Sequence, residues 1–356
     1  MNKDIALKAL DMAKTAGAQQ ARVTYTHSCL NQYTLLDGEL EKLQHSLGSS
    51  LFIQLYSNGK YGAFSTNRME RNELQKFIEE ALLSIDYLTP DPCRGLPNPE
   101  LYFKGECMDL HQDDPTYSEI SPESKKELLL EVAQEADRSD SRIISVSNDY
   151  EDFKEVIYIA DSQGFEGLTS QTLFSLSAEC SVKGKGGARP QNWWFDSSMF
   201  YKTLPKGCCK EAVERTLAMI GAKKIKSGKY NIIIDRSVAS KVVSPIFSAL
   251  SGGSIQQRNS FLLDKLGKNV LGEKLTIKDT PHAPGFMGSR WFDSEGIATK
   301  EMEIVSEGVP QLYFLNSYFA NKLNTTPTIE SVSVPTINPF GASDAASMMK
   351  EIGSGI

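Results

Sequence analysis

The residues of this sequence whose types could perform acid–base chemistry are Asp293, Glu295 and His282. Two carboxylates beside an imidazole could move protons on a substrate or hold a metal ion. The segment Asp293-Ser294-Glu295-Gly296 also has the composition of a tight bend, in which short polar side chains accept hydrogen bonds from backbone N–H groups. We therefore expect these side chains to cap the bend. We predict no catalytic residue and no metal ligand in this chain.

The aromatic triplet Trp193-Trp194-Phe195 follows a flexible loop at Gly184–Gly187. It could form an apolar wall that contacts peptide side chains or a partner subunit, because aromatic residues dominate such contacts. It could equally be a strand whose rings pack in the core. Successive residues of a strand point to opposite faces, so at least one tryptophan must find a partner outside its own layer.

The other potential ligands are scattered along the sequence. The four histidines are His27, His45, His111 and His282, and none is followed by Glu. The six cysteines form no Cys-x-x-Cys pair, which predicts reduced structural thiols. Gly252-Gly253-Ser254 follows a predicted helix, whereas phosphate loops precede helices, so these glycines are expected to end that helix.

Composition limits the classes of function. The chain has 356 residues, 40% hydrophobic and 23% charged, which is typical of a globular protein with two domains. The net charge of −7 disfavours nucleic-acid binding. No run approaches the roughly 18 apolar residues of a membrane span. The N-terminus resembles an amphipathic helix start and not a signal peptide, which predicts a cytoplasmic protein.

Periodicity predicts alternating helices and strands. Helices are predicted from Asp4 to Ala16, from Arg71 to Ile85, after Ser121-Pro122, from Lys210 to Ile220 and from Val238 to Leu250. Strands are predicted at Ala21–Thr34, Leu40–Gln44, Ser49–Tyr56, Tyr61–Ser65, Ile143–Val146, Phe153–Asp161, Leu168–Val182 and Lys229–Asp235. The fold class is α+β, with helices layered on an antiparallel sheet in an N-terminal domain, 1–200, that contains a Pro-rich break at 89–122. A C-terminal domain, 201–356, is expected to be mostly antiparallel β with packed helices.

The most specific stretch runs from Gly285 to Leu323. It reads as a Gly-rich turn, the acidic bend, a hairpin with its turn at Glu307-Gly308, and an aromatic-rich helix. Together with the order of features from about residue 204 onwards, it resembles the C-terminal domain of the TldD/PmbA family. These proteins are known as modulators of DNA gyrase and as subunits of a peptide-processing metalloprotease. The resemblance implies structural roles for Gly288, Arg290, Asp293, Glu295, Gly296 and Gly308.

The zinc motif of the TldD branch is missing here. That branch carries His-Glu-x-x-x-His on the helix whose counterpart here reads Val242-Val243-Ser244-Pro245-Ile246-Phe247-Ser248-Ala249-Leu250. Two imidazoles one turn apart can hold Zn²⁺ while the Glu activates water, but this helix offers neither. The resemblance is therefore to the PmbA (TldE) branch, and it implies that zinc belongs to a TldD-type partner.

The resemblance implies a non-catalytic subunit that forms a heterodimer with a zinc-bearing homologue and acts on unfolded peptides. The chain alone is then expected to be inactive. Peptides could add to sheet edges near Leu168–Val182 and Glu301–Leu315. The alternative is a homodimeric protein that binds peptides or partners without proteolysis. The sequence ends at Gly353-Ser354-Gly355-Ile356, where the family continues into a strand, so we expect a truncated form.

Overall fold

The computed structural model describes residues 3–337, 344–353 and 355. Its helices are α1 Lys3–Thr15, α2 Arg71–Ile85, α3 Pro122–Ala133, α4 Cys208–Ala218, α5 Arg236–Leu250, α6 Gly252–Gln256, α7 Ser317–Lys322 and α8 Ala345–Ile352. Its strands are β1 Gln20–Leu36, β2 Glu39–Ser57, β3 Lys60–Thr66, β4 Ile143–Asp161, β5 Glu166–Val182, β6 Gln191–Ser198, β7 Ile277–Asp279, β8 Met302–Ser306, β9 Val309–Pro310 and β10 Pro335–Ile337.

The larger sheet has six antiparallel strands in the order β3-β2-β1-β4-β5-β6. Alternate residues of its central strands, such as Val23, Ile53 and Tyr158, are buried beneath helices. Helices α1 and α2 cover one end of this helical face, and α3 and α4 cover the other end. Because side chains alternate along a strand, Thr24, Gln54 and their neighbours point to the opposite, open face.

Each covering helix follows its sequence pattern. Leu74, Ile78, Ala81 and Ile85 form the buried stripe of α2 at helical spacing. Ser121 caps α3 by accepting a hydrogen bond from the N–H of Ser124, and Pro122 occupies the first helical position. Both helices begin where the sequence predicts, and the Ser121-Pro122 cap explains the start of α3.

The smaller sheet has the antiparallel order β10-β7-β8-β9. Helix α5 packs against it through Val243, Ile246 and Phe247, around a core that contains Leu250, Ile277, Ile304 and Phe314. The predicted α+β class, with helices on antiparallel sheets in both parts of the chain, is confirmed.

Two predicted breaks in the large sheet are wrong. Leu40–Gln44 and Ser49–Tyr56 belong to one continuous strand, β2, and Ile143–Val146 and Phe153–Asp161 belong to β4. Polar residues between the predicted pieces resembled turns, yet each stays in register with β1. Hydrogen bonding to β1 therefore keeps these polar residues in strand conformation, although their composition alone favours a turn.

Two further local predictions are also wrong. Lys229–Asp235 forms no strand, and Tyr230, Ile232 and Ile234 are exposed. Gly252 and Gly253 do not end a helix but begin α6, whose cap Ser251 accepts from the N–H of Ser254. The close approach of Phe319 to Gly252 leaves no room for a side chain there, so packing determines this position.

Helix α4 packs in the core of the large sheet through Cys208, Cys209, Ala212 and Val213. The predicted domain limits at 200 and 201 stay predictions. All six cysteines are free thiols. Within the described ranges, no helix has the length and apolar character to cross a membrane. Ser354 and Ile356 of the predicted truncated end lie outside the described residues.

Candidate functional site

A cleft of about 490 Å³ lies on the open face of the large sheet. Its floor comes from four neighbouring strands, β2, β1, β4 and β5, and its roof comes from residues 287–294 and Glu330. The floor side chains are Thr24, Phe52, Gln54, Glu155, Ile157, Ile159, Thr169, Ser170 and Gln171. The floor is mixed, with polar side chains such as Gln54 and Glu155 beside apolar ones such as Phe52 and Ile157.

The roof is held in place by hydrogen bonds from two side chains, those of Gln112 and Arg290. Gln112 donates from Nε2 to the carbonyl oxygens of Phe286, Met287 and Ser289, at 2.8–3.2 Å. Arg290 donates from Nη1 to Glu330 Oε1 at 2.9 Å and from Nη2 to the carbonyl of Ser331 at 2.7 Å. These bonds hold the roof segment over the sheet without a regular secondary structure.

Three glycines of the sequence motif stand where a side chain would not fit. A Cβ on Gly288 would overlap the carbonyl oxygen of Ser333. Gly296 has a φ of +78° and packs against the Phe165 ring, and Gly308 has a φ of +81° in the β8–β9 turn. Positive φ angles favour glycine because it lacks a Cβ.

Asp293 lies at the roof of the cleft and is 5% exposed. Its Oδ1 accepts hydrogen bonds from the N–H groups of Glu295 and Ile297, both at 2.9 Å, as the bend prediction expected. Burial, followed by the nearby charge of Glu330, raises the pKa of Asp293 to about 7. Burial also raises the pKa of Glu295, whose Oε2 accepts from the N–H of Ser317 at 2.7 Å.

The structure does not bring His282 to these carboxylates. Its ring stacks on Trp291 with centroids 4.2 Å apart, and its Nε2 is 3.0 Å from Thr299 Oγ1. The other histidines are separate as well: His27 bonds Ser49, His45 bonds Asn31, and His111 pairs with Asp109. The three candidate acid–base residues therefore do not form one constellation.

The aromatic triplet is split between the two faces of edge strand β6. Trp193 and Phe195 are 56% and 47% exposed and stack on each other at 5.5 Å, on the same open face as the cleft. Trp194 faces the helical side, where the Arg215 guanidinium lies 3.9 Å from its ring. Each of the two sequence interpretations therefore holds for part of the triplet. Trp194 packs against the core, and Trp193 and Phe195 remain available for contact.

Helix α5 does not fit a zinc ion. Zinc in proteins is bound by imidazole, thiolate or carboxylate, and the α5 sequence, RSVASKVVSPIFSAL, contains none of them. The Ser248 hydroxyl donates a hydrogen bond within the helix, to the carbonyl of Ser244. Phe247 packs with the core. No group of three or more potential metal ligands occurs among residues 3–337, 344–353 and 355.

Family comparison gives this architecture a context. The model of the PmbA/TldA metallopeptidase central domain matches residues 115–220, and that of the C-terminal domain matches residues 227–356. The crystal structure of a protein from Bacteroides thetaiotaomicron, described as a modulator of DNA gyrase, is 38% identical. It has a TM-score of 0.95 and covers 99% of this chain and 80% of its own. This chain belongs to the PmbA/TldD family.

Other PmbA/TldD relatives are more distant. Metalloprotease PmbA of Escherichia coli O157:H7 is 28% identical over 324 residues, which are 90% of this chain and 71% of that protein. The crystal structure of TldE from Thermococcus kodakarensis has a TM-score of 0.76 at 16% identity, and covers 98% of this chain and 80% of its own. At that identity the second likeness shows the fold alone.

Sequence reasoning missed the residues that build the cleft. Gln112 lies in the Pro-rich break, where no regular structure was predicted, and Glu330 lies after the last motif helix. Thr24, Gln54 and Ile157 were available from the sequence, because strand alternation places them opposite the buried positions. What the sequence did not show is that the acidic bend folds back over that face.

Proposed function

We propose that this chain is a zinc-free subunit of a peptide-processing complex. It pairs with a zinc-bearing TldD-type homologue in the cytoplasm, and the partner supplies the metal and the hydrolytic chemistry. This chain contributes a surface that holds unfolded peptides. The observation that carries the proposal is the chemistry of α5, which lacks every common zinc donor on an otherwise family-typical scaffold.

The cleft supports the peptide-holding role. Beside it, β5 pairs with β6 only from Phe174 to Ser181, and the N–H of Thr172 donates to the carbonyl of Gln112 at 2.8 Å. Among the described residues, no strand pairs with the part of β5 before Thr172 on that side. Ser170 and Thr169, from this part, line the cleft. A peptide there can bond through its backbone, which selects extended conformation over sequence. The second predicted edge, Glu301–Leu315, is less open: β8 is paired by β7 and β9, and the N–H of Gly267 donates to the carbonyl of Pro310 on the outer side of β9.

A partner surface is offered by β2. Strand β3 pairs only with Leu51–Ser57, so residues 39–50 form a long edge without a strand neighbour among the described residues. Leu43 and Leu47 on this stretch are 60% and 63% exposed. Exposed strand edges with apolar side chains favour association. The same observation supports the alternative function, a homodimer that binds peptides without proteolysis.

The experiment that tests the proposal combines metal analysis with co-purification. The chain is purified alone and together with a TldD-type homologue, and zinc per subunit is measured. We expect zinc only in preparations that contain the homologue, and a stable complex of the two chains. One zinc per chain in the isolated protein would refute the proposal. A homodimer that excludes the homologue would favour the alternative.

A further inference from the structure

A second, smaller cavity of about 130 Å³ adjoins the cleft. The two share Gln54 and Ser294 in their walls, so a chain lying in the cleft can place its end in the cavity. The remaining wall consists of charged and polar side chains and one glycine: Arg22, Tyr56, Tyr61, Arg94, Gly95, Glu295, Asn316 and Tyr318. The volume suits one terminal group and not a run of residues.

Arg94 is the best-placed cation of this cavity. Its guanidinium carbon lies 3.5 Å from the Tyr318 ring centroid and 4.6 Å from that of Tyr61, so two aromatic rings contact it. Tyr318 is itself fixed by a 3.1 Å hydrogen bond to Asp91. No carboxylate within the described part of the chain lies at salt-bridge distance from Arg94. Cation–π contact with these two rings restrains the guanidinium, and its N–H groups donate to no acceptor among the described residues.

Arg22 adds a buried second guanidinium. It is 1% exposed, and its Nη2 donates to Asp161 Oδ2 at 2.9 Å and to the carbonyl of Glu295 at 2.7 Å. Its Nε–H has no acceptor among the described residues. The Asp161 carboxylate balances the charge of Arg22, whereas Arg94 forms no salt bridge with any described residue.

We propose that this cavity binds the terminal carboxylate of a peptide whose preceding residues lie in the adjoining cleft. A guanidinium presents two parallel N–H donors that match the two oxygens of a carboxylate. Arg94 is the principal contact, and Asn316 and Tyr56 supply further polar groups at the wall. The inference rests on the proposed function, because it names the class of substrate end that the peptide cleft recognises.

Glu295 is the acidic side chain that faces the same cavity. One of its oxygens accepts from the N–H of Ser317, and burial raises the pKa of its carboxyl. Both features weaken its repulsion of an incoming carboxylate. If Glu295 instead received the terminal ammonium of a peptide, blocking the N-terminus would matter and blocking the C-terminus would not. The two orientations are therefore separable by experiment.

The experiment compares two fluorescently labelled peptides of one unstructured sequence, ending in a free carboxylate or in a carboxamide, by fluorescence anisotropy with the full chain. We expect the free acid to bind about 10-fold more tightly, the scale of one charge-assisted pair. Arg94→Gln should bring the ratio of the two Kd values close to 1, chiefly by weakening the binding of the free acid. A third peptide, an amide with Glu as its last residue, distinguishes a terminal from a side-chain carboxylate and should bind like the plain amide.

Arg68→Gln serves as the matched control, because Arg68 is exposed and outside the cavity. For this variant the Kd of the amide should stay about 10 times that of the free acid. Thermal unfolding confirms that both variants fold. Equal affinity of the acid and the amide for the wild-type chain would overturn the carboxylate site and leave peptide binding intact. Failure to bind either peptide would overturn both this inference and the proposed function.

Discussion

Arg22 of β1 donates a hydrogen bond of 2.7 Å to the carbonyl oxygen of Glu295, and this contact joins the large sheet to the acidic bend. The same Nη2 bonds the buried Asp161, which also accepts from the Tyr102 hydroxyl at 2.6 Å. Arg22 thus joins the end of β4 to the bend that roofs the cleft, and Asp161 joins both to Tyr102 of the Pro-rich segment. The position of the cleft depends on this interaction.

Replacing Arg22 is expected to destabilise the fold. Arg22→Met leaves the Asp161 carboxylate buried without its cation, which costs about 3–5 kcal/mol. Urea unfolding followed by circular dichroism measures the change, with Arg68→Met as the exposed control, for which we expect a change within about 0.5 kcal/mol. Equal stability of the two variants would show that Arg22 does not anchor the bend.

Asp293 should make stability depend on pH. Its pKa in the folded chain is raised from 3.8 to about 7, so between these values the folded state binds more protons than the unfolded state. Its contribution to the free energy of unfolding therefore falls as pH rises from 4 to 7, by about 3 kcal/mol in total. Asp293→Asn keeps the oxygen that accepts from Glu295 and Ile297 and removes the titration. We expect the variant to gain stability over wild type from pH 4 to pH 8, and a constant difference would contradict the burial of this carboxyl.

The adjacent tryptophans should respond differently to substitution. Trp193→Ser removes an exposed ring from the open face and is expected to weaken peptide or partner binding several-fold without changing stability. Trp194→Ser removes a ring packed against the core and Arg215, and should cost about 2–3 kcal/mol of unfolding free energy. Anisotropy and urea unfolding on both variants separate the roles. If Trp193→Ser lowered stability and left binding unchanged, Trp193 and Phe195 would have a structural role and not a binding role.

Gly288 should tolerate no side chain. A Cβ would overlap the carbonyl oxygen of Ser333, so Gly288→Ala must move the roof or the segment after Glu330, at a cost of about 1–3 kcal/mol. Gly272→Ala is the matched control, because nothing lies within 4 Å of its Cβ position. Thermal unfolding of the two variants measures the difference. Similar melting temperatures would mean that the roof is looser than its contacts suggest.

Sequence patterns correctly predicted those helices whose position depends on residues within or next to the helix itself. The α2 stripe and the Ser121-Pro122 start of α3 fall where predicted, because periodicity and capping are properties of neighbouring residues. The breaks predicted inside β2 and β4 failed because pairing with β1 is non-local. The Lys229–Asp235 prediction failed for the complementary reason: apolar alternation produces a strand only where another strand lies beside it, and none does among the described residues.

The site was less accessible to sequence reasoning. The capping role of Asp293 followed from the composition of its bend, and the face of Trp193 followed from strand alternation once β6 was placed. The contacts of the Arg94 guanidinium with the rings of Tyr61 and Tyr318 could not be predicted from the sequence. These two tyrosines come from distant parts of the chain and meet only through tertiary packing. Arg22 resembled an ordinary polar strand position until the acidic bend was seen to lie over it.

The central claim is that hydrolysis requires a partner that carries zinc. The most direct measurement is cleavage of a quenched-fluorescent unstructured peptide by this chain alone, by a TldD-type homologue alone, and by the two together. We expect background rates from this chain alone and zinc-dependent cleavage when both chains are present, abolished by removing the zinc ligands of the homologue. Full-strength cleavage by this chain alone would contradict the account.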